Sequence, residues 1–159
     1  MKKITVISLV ISASFLSGFG LKSVLVARNA VHADAIKVTG IGGIFFKCKD
    51  PGQLKQWYHE NLGLQTDQYG AAFVWYEGSD STKKGLTQWT PFPETTRYFA
   101  PSAKDFMINY RVQNLAALVA ELAKKGVTIV DSIATYDYGK FIHLLDPEGN
   151  KIELWEPIP

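Results

Sequence analysis

The chain has 159 residues, 47% hydrophobic and 20% charged, the make-up of a folded globular protein rather than a disordered or fibrous one. Its formal charge of +2 arises at its start: without residues 1–33, Lys and Arg fall from 17 to 13 against 15 Asp and Glu, a charge of −2. No clustered basic footprint remains, which argues against nucleic acid as a partner, and Cys48 as sole cysteine excludes an internal disulfide.

Residues 1–33 open with Lys2 and Lys3, continue through an apolar run from Ile4 to Leu21, and end with Val31 and Ala33 at the spacing of a small-residue cleavage site. That layout predicts a secretory signal peptide. The alternative is an uncleaved membrane anchor, since the run approaches the roughly 18 residues of a spanning helix. Either way the domain, residues 34–159, is expected outside the cytoplasm: secreted, periplasmic or membrane-tethered, in a bacterium.

The domain reads as one unit written twice, at about 38–91 and 105–158. "GGIFFKC" alternates as a strand, and Asp50-Pro51 starts a helix with Leu54, Trp57, Tyr58 and Leu62 on its inner side. His59 lies off that stripe and reads as a solvated surface residue. "AAFVWYE" and "LTQWTP" follow as strands, and "PFPETTRYFAPSAKD", with three prolines and no apolar period, joins the copies. The second copy repeats the order with "FMINYRV", a helix from Asn114 to Lys125 striped by Leu115, Leu118, Val119 and Leu122, and the strands "GKFIHLLD" and "IELWEP". Gly43 falls on Met107, and the unit is β-α-β-β-β.

Strand parity sorts the side chains. Ile44, Phe46, Cys48, Ile108, Tyr110, Val112, Ile152 and Leu154 should pack beneath the helices. The opposite face then carries Gly43, Phe45, Lys47, Met107, Asn109, Arg111, Glu153 and Trp155. A hairpin closed by "DPEGN" pairs Leu145 with Lys151 and so His143 with Glu153, giving a buried carboxylate a partner.

The paired units, "KCKDPGQLKQWYHENLGL", "INYRVQNLAALVAELAKKGV" and above all "DPEGNKIELWEP" resemble the vicinal oxygen chelate superfamily. It includes glyoxalase I, bleomycin-resistance proteins, fosfomycin-resistance enzymes and extradiol dioxygenases. The resemblance covers roughly Val38 to Pro159. It implies an α+β fold in which two βαβββ modules form a curved open sheet around a small-molecule cavity, often completed by a homodimer. In metal-dependent members the ligands come from the first and last strands of each unit. Here those positions are Gly43, Thr87 (or Gln88 if the register slips by one), Met107 and Glu153, of which only Glu153 has the family's ligand type.

Three functions stay open. A metal-independent enzyme would use His143, oriented by Glu153, to move a proton on a small oxygenated metabolite, with Asn109 and Arg111 binding an oxyanion or carboxylate. A drug-sequestering protein of the bleomycin-resistance type would offer flat surfaces to an aromatic ligand from Phe45, Trp75, Trp89, Tyr136, Tyr138, Phe141 and Trp155, with Trp89 and Trp155 foremost. A metal-dependent lyase, isomerase or dioxygenase would need a divalent ion at Glu153 and ligands the family pattern does not supply. No cofactor follows from the residues alone.

Overall fold

A computed structural model of the protein describes residues 38–78 and 80–158. The expected signal segment or anchor, residues 1–33, lies outside them, and no helix among the described residues is long and apolar enough to cross a membrane.

Strand β1 (Val38–Cys48) gives way to helix α1 (Pro51–Leu62). Asp50 caps the helix, its carboxylate accepting from the Gln53 amide at 2.9 Å, and Pro51 stands where a missing N–H leaves no bond unmade. Strands β2 (Ala71–Glu77) and β3 (Asp80–Pro93) complete the first unit. The second comprises β4 (Phe106–Val112), α2 (Leu115–Lys124), β5 (Thr128–Ile129), β6 (Ala134–Tyr136), β7 (Gly139–Leu145) and β8 (Lys151–Pro157).

All the strands join one curved, open, mixed sheet in the order β2-β3-β1-β4-β8-β7-β5, with β6 paired to β7. At its centre β1 and β4 run antiparallel, while β3 and β8 run parallel to β1 and β4 respectively. Gly43 pairs with Asn109, Ile44 with Ile108 and Phe45 with Met107. That near two-fold arrangement about the isoleucine pair matches the expected equivalence of Gly43 and Met107.

The units are less alike than their sequences suggest. After α1 the first has only β2 and β3, and the strand expected before them is reduced to a single bridge between Thr66 and Ala71. The helices also differ. On α2, Leu115 is fully buried, and Leu118, Val119 and Leu122 pack against the buried Val112, Ile142, Leu144 and Leu154. Of the expected α1 stripe only Leu54 and Tyr58 are half-buried, while Trp57 and Leu62 are exposed at 52% and 66%. Successive helical residues diverge by about 100° around the axis. With the Tyr58 ring seated on Trp89 at 4.8 Å, Trp57 is turned to the rim.

The joining segment is not a bare linker. Phe99 within it is fully buried, edge-on to Phe92 of β3 at 5.4 Å. A buried phenylalanine contributes about 1.5–3 kcal/mol. The segment is tied further by the Lys47 amide donating to the Asp105 carbonyl at 2.8 Å and the Glu94 amide to the Cys48 carbonyl at 2.8 Å. It thus carries Tyr98 onto the sheet.

Candidate functional site

The site begins at the turn "DPEGN". The Asp146 carboxylate accepts from the Glu148 and Asn150 amides, each at 2.9 Å, and from the Asn150 side-chain amide at 2.7 Å. Gly149 takes φ of 74°, which a side chain would disfavour. The closed turn sets β7 against β8 with Leu145 opposite Lys151, so His143 stands opposite Glu153 as the sequence predicts.

Glu153 is 3% exposed, yet its charge is well served. Oε2 accepts from His143 Nε2 at 2.9 Å and from the Tyr98 hydroxyl, and Oε1 accepts from Asn109 Nδ2 at 2.6 Å. The other ring nitrogen of His143, Nδ1, meets Asp131 Oδ2 at 2.6 Å, and the His143 backbone amide donates to Asp131 Oδ1 at 2.8 Å. The imidazole is therefore clamped between two carboxylates. Burial works against the charged imidazole, but its hydrogen bonds to Glu153 and Asp131 prevail and lift its pKa above 6.5. Burial likewise pushes the Glu153 carboxyl up, and hydrogen bonds from His143, Tyr98 and Asn109 bring it below 4.5. Burial and the Glu153 carboxylate push the Tyr98 phenol far above its ordinary value, so it stays a neutral donor.

The signs of these shifts predict a pH profile. The lowered Glu153 pKa stabilises the fold fully above pH 4.5, and that contribution is lost as pH falls through the folded value. The raised His143 pKa stabilises it fully below pH 6.5, and that contribution is lost as pH rises through the folded value. Urea midpoints between pH 3 and 9 should peak from 4.5 to 6.5 and fall on both sides. His143→Gln should flatten the alkaline limb. A wild-type midpoint that climbs from pH 6.5 to 8 contradicts the clamped imidazolium.

Tyr98 and Asp131 were not among the expected residues. Tyr98 lies 55 positions from Glu153 in a segment without periodicity, and nothing local announces it. Asp131 had a faint signal: β5 pairs with β7, Ile129 opposite Leu144, and the Val130 amide donates to the His143 carbonyl at 2.8 Å, so the next residue arrives beside His143.

Three hollows mark the sheet face that carries these residues. One of about 280 Å³ at Glu153 is lined by Tyr98, Asp131, Tyr136, Tyr138, Phe141 and His143, with Ser132 and Ala134. A second, of about 900 Å³, lies by Phe45, Gln88, Thr90 and Phe92 and shares Tyr98 and Tyr138 with the first. A third, of about 640 Å³, holds Arg111, Lys83, Lys84 and Trp155. Trp155 stacks on Phe141 at 6.3 Å and 12°, and so connects the third hollow with the first.

The expected binding residues divide accordingly. Phe141, Trp155 and Phe45 line hollows, whereas Asn109 is buried and serves Glu153. Arg111 donates to Thr39 at 2.8 Å beside Trp155, away from the Glu153 hollow. Trp89 is a correction. Gly43 pairs with Gln88, not Thr87, so the register is the slipped one and the parity of Trp89 is reversed. It packs on Phe46 at 5.3 Å and on Tyr58, beneath α1. Trp75 packs over Gly40 and Gly85 and donates to Thr87 at 2.9 Å.

The family's metal positions are thus Gly43, Gln88, Met107 and Glu153; Gln88 joins Glu153 as a ligand-type side chain, but Gly43 and Met107 do not complete a set that fits a divalent ion. Gly43 has no donor, and a Cβ there would meet the Phe45 ring at 2.5 Å, so that ring fills the space a ligand side chain needs. Met107 offers a thioether, a poor match for hard cations. The buried Asn109 Oδ1 has no partner but is aimed at Gly42, 2.1 Å from where a Cβ would stand. Among the described residues no three His, Cys, Asp or Glu side chains converge as a metal site.

Solved structures share this architecture. A methylmalonyl-CoA epimerase from Mycobacterium tuberculosis is 19% identical, with 77% of this chain and 90% of that one covered and a TM-score of 0.52. A Streptomyces coelicolor methylmalonyl-CoA epimerase variant in complex with 2-nitronate-propionyl-CoA is 17% identical, with 77% and 100% covered and a TM-score of 0.57. At such identities the likeness is one of fold. No curated protein matches the chain. The model of the Glyoxalase/Bleomycin resistance protein/Dioxygenase superfamily matches residues 40–154, nearly the whole of the sheet and both helices just described, and the chain belongs to that superfamily.

Proposed function

We propose that this glyoxalase-family protein binds a flat aromatic molecule, without a metal, in the hollow at Glu153. One observation carries the reading. Both nitrogens of His143 and both oxygens of Glu153 are engaged with protein partners, whereas the aromatic faces around them are open. Tyr136 and Tyr138 stack at 5.4 Å and 6° and are 52% and 60% exposed, and Phe141 stands edge-on to both. Exposed rings gathered along a cavity retain unburied apolar area that a flat ligand would cover.

Binding of a panel of fused-ring compounds is read by tryptophan fluorescence, because Trp155 lies on Phe141. Phe141→Ala should weaken a bound compound about tenfold, the order of one lost ring contact, and the compound should be recovered unchanged. Failure of every compound to bind below about 1 mM, some −4 kcal/mol, sinks the proposal.

A second reading, metal-free proton transfer, is favoured by the unbroken hydrogen-bond path from Asp131 through His143 and Glu153 to the Tyr98 hydroxyl. It demands that a bound compound be recovered altered, and that His143→Ala and Glu153→Ala each abolish the change while still folding. Export by residues 1–33 and a homodimer complete the proposal. N-terminal sequencing of the mature protein and its sedimentation mass test them.

A further inference from the structure

The cavity at Glu153 has a charge as well as a shape. None of its lining residues is Lys or Arg, and its ionisable groups are Asp131, Glu153 and His143, besides tyrosines. Two carboxylates outnumber the one imidazole on the wall itself, and the Lys151 ammonium behind Tyr98 acts on both carboxylates, so the surroundings are net negative when His143 is neutral. The carboxylates differ in access: the Glu153 side chain is 4% exposed and the Asp131 side chain 43%. Asp131 accepts two hydrogen bonds, both from His143, one on each oxygen. A carboxylate has about four lone-pair sites, so it keeps capacity toward the cavity.

Tyrosine and phenylalanine rings line the same cavity as Asp131, and their faces are the negative part of the ring quadrupole. Tyr98 already holds one cation, the buried Lys151 ammonium 5.1 Å from its centroid. That ammonium is also committed to the Tyr98 carbonyl at 2.6 Å. The third hollow, with Arg111, Lys83 and Lys84, has the opposite sign. An anionic ligand would meet Asp131, the more exposed of the two carboxylates, whereas a weakly hydrated organic cation would gain ring faces and a counter-ion together.

We infer that the cavity takes an organic cation, an aromatic or quaternary ammonium ion, with Asp131 as counter-ion and the faces of Tyr136, Tyr138 and Phe141 as walls. This rests on the aromatic-binding reading and adds to it the charge of the ligand. At about 280 Å³ the space is at the small end of ligand sites and suits a compact ring system rather than a long chain.

Equilibrium dialysis of the full chain against three probes of one shape tests it: 1-methylquinolinium, neutral 1-methylnaphthalene and anionic 1-naphthoate. The cation should bind about tenfold tighter than the neutral ring, the order expected of a partly desolvated cation–π site. Asp131→Asn keeps one acceptor, for the His143 backbone amide, and turns an NH2 donor toward Nδ1 of a neutral imidazole; it should erase most of that preference without weakening the neutral ring. Tyr138→Leu, which keeps apolar volume and removes a ring face, should cost the cation more than the neutral probe. The inference is overturned if the cation binds no tighter than the neutral ring, or if neither variant lowers its affinity selectively. Should none of the probes bind, the aromatic reading falls as well. If the neutral ring alone binds, only the charge assignment falls.

Discussion

Glu153→Ala is expected to lower the stability of the fold by about 3–5 kcal/mol, the cost of breaking a buried charged pair from one side. The carboxylate is the common acceptor for three donors, His143 Nε2, the Tyr98 hydroxyl and Asn109 Nδ2, and it is 3% exposed. Removing it leaves those donors around a void that water reaches poorly, and each unmet donor costs about 1–3 kcal/mol. The charge imbalance compounds this. His143 then faces Asp131 alone and loses one of the two hydrogen bonds that raise its pKa, so the loss should be smaller at pH 8, where the imidazole is closer to neutral. The double substitution Glu153→Leu with His143→Phe should cost less than the sum of the two single changes, because apolar groups then replace both halves of the pair. Urea unfolding of Glu153→Ala and of the four proteins of that cycle decides it. A loss below about 1 kcal/mol for Glu153→Ala, within the range of exposed ion pairs, would mean that the cluster is open to water.

Lys151→Met tests what holds Tyr98 in place. The lysine is 6% exposed, its ammonium donates to the Tyr98 carbonyl at 2.6 Å, and burial lowers its pKa. Methionine keeps most of the stem's volume and removes the donor, leaving a carbonyl of the joining segment without its partner. A loss of about 1–3 kcal/mol follows from the unmet acceptor. The loss should be local: cleavage after Arg97 by trypsin under native conditions should speed up well beyond the change in global stability. The removed charge also lay over the Tyr98 ring at 5.1 Å, so the hydroxyl should lose its fixed place on Glu153. Unchanged cleavage at Arg97, with unfolding as in the wild type, would show that the segment is anchored without Lys151.

Much of the fold was legible in the sequence, and unevenly so. The α2 stripe of Leu115, Leu118, Val119 and Leu122 stood out because a period of 3.6 recurs with few polar interruptions, and these residues do cover the core. Helix α1 offered fewer apolar residues spread more widely around the axis, and the stripe overestimated what it buries. The expected strand after α1 fell short because strand propensity depends on a neighbour to pair with, and there the chain makes only the Thr66–Ala71 bridge.

The candidate site divides in the same way. The pairing of His143 with Glu153 was readable because a short closed turn sets hairpin register, and Asp146, Gly149 and Asn150 are turn residues for identifiable reasons. Trp89 was misplaced because the two copies were aligned by their Trp-Pro endings, whereas the parallel pairing of β1 with β3 sets the register in space. A shift of one residue moves a side chain to the other face.

By itself the sequence determined the doubled α+β unit and the equivalence of Gly43 and Met107. These rest on composition and on short-range periodicity, which the chain carries locally. Only the tertiary structure decided that Tyr98 and Asp131 join His143 and Glu153, that Trp89 packs beneath a helix, and that Phe45 occupies the space beside Gly43. Those outcomes depend on strand register and on the path of an aperiodic segment, and both are set by which distant surfaces bury one another.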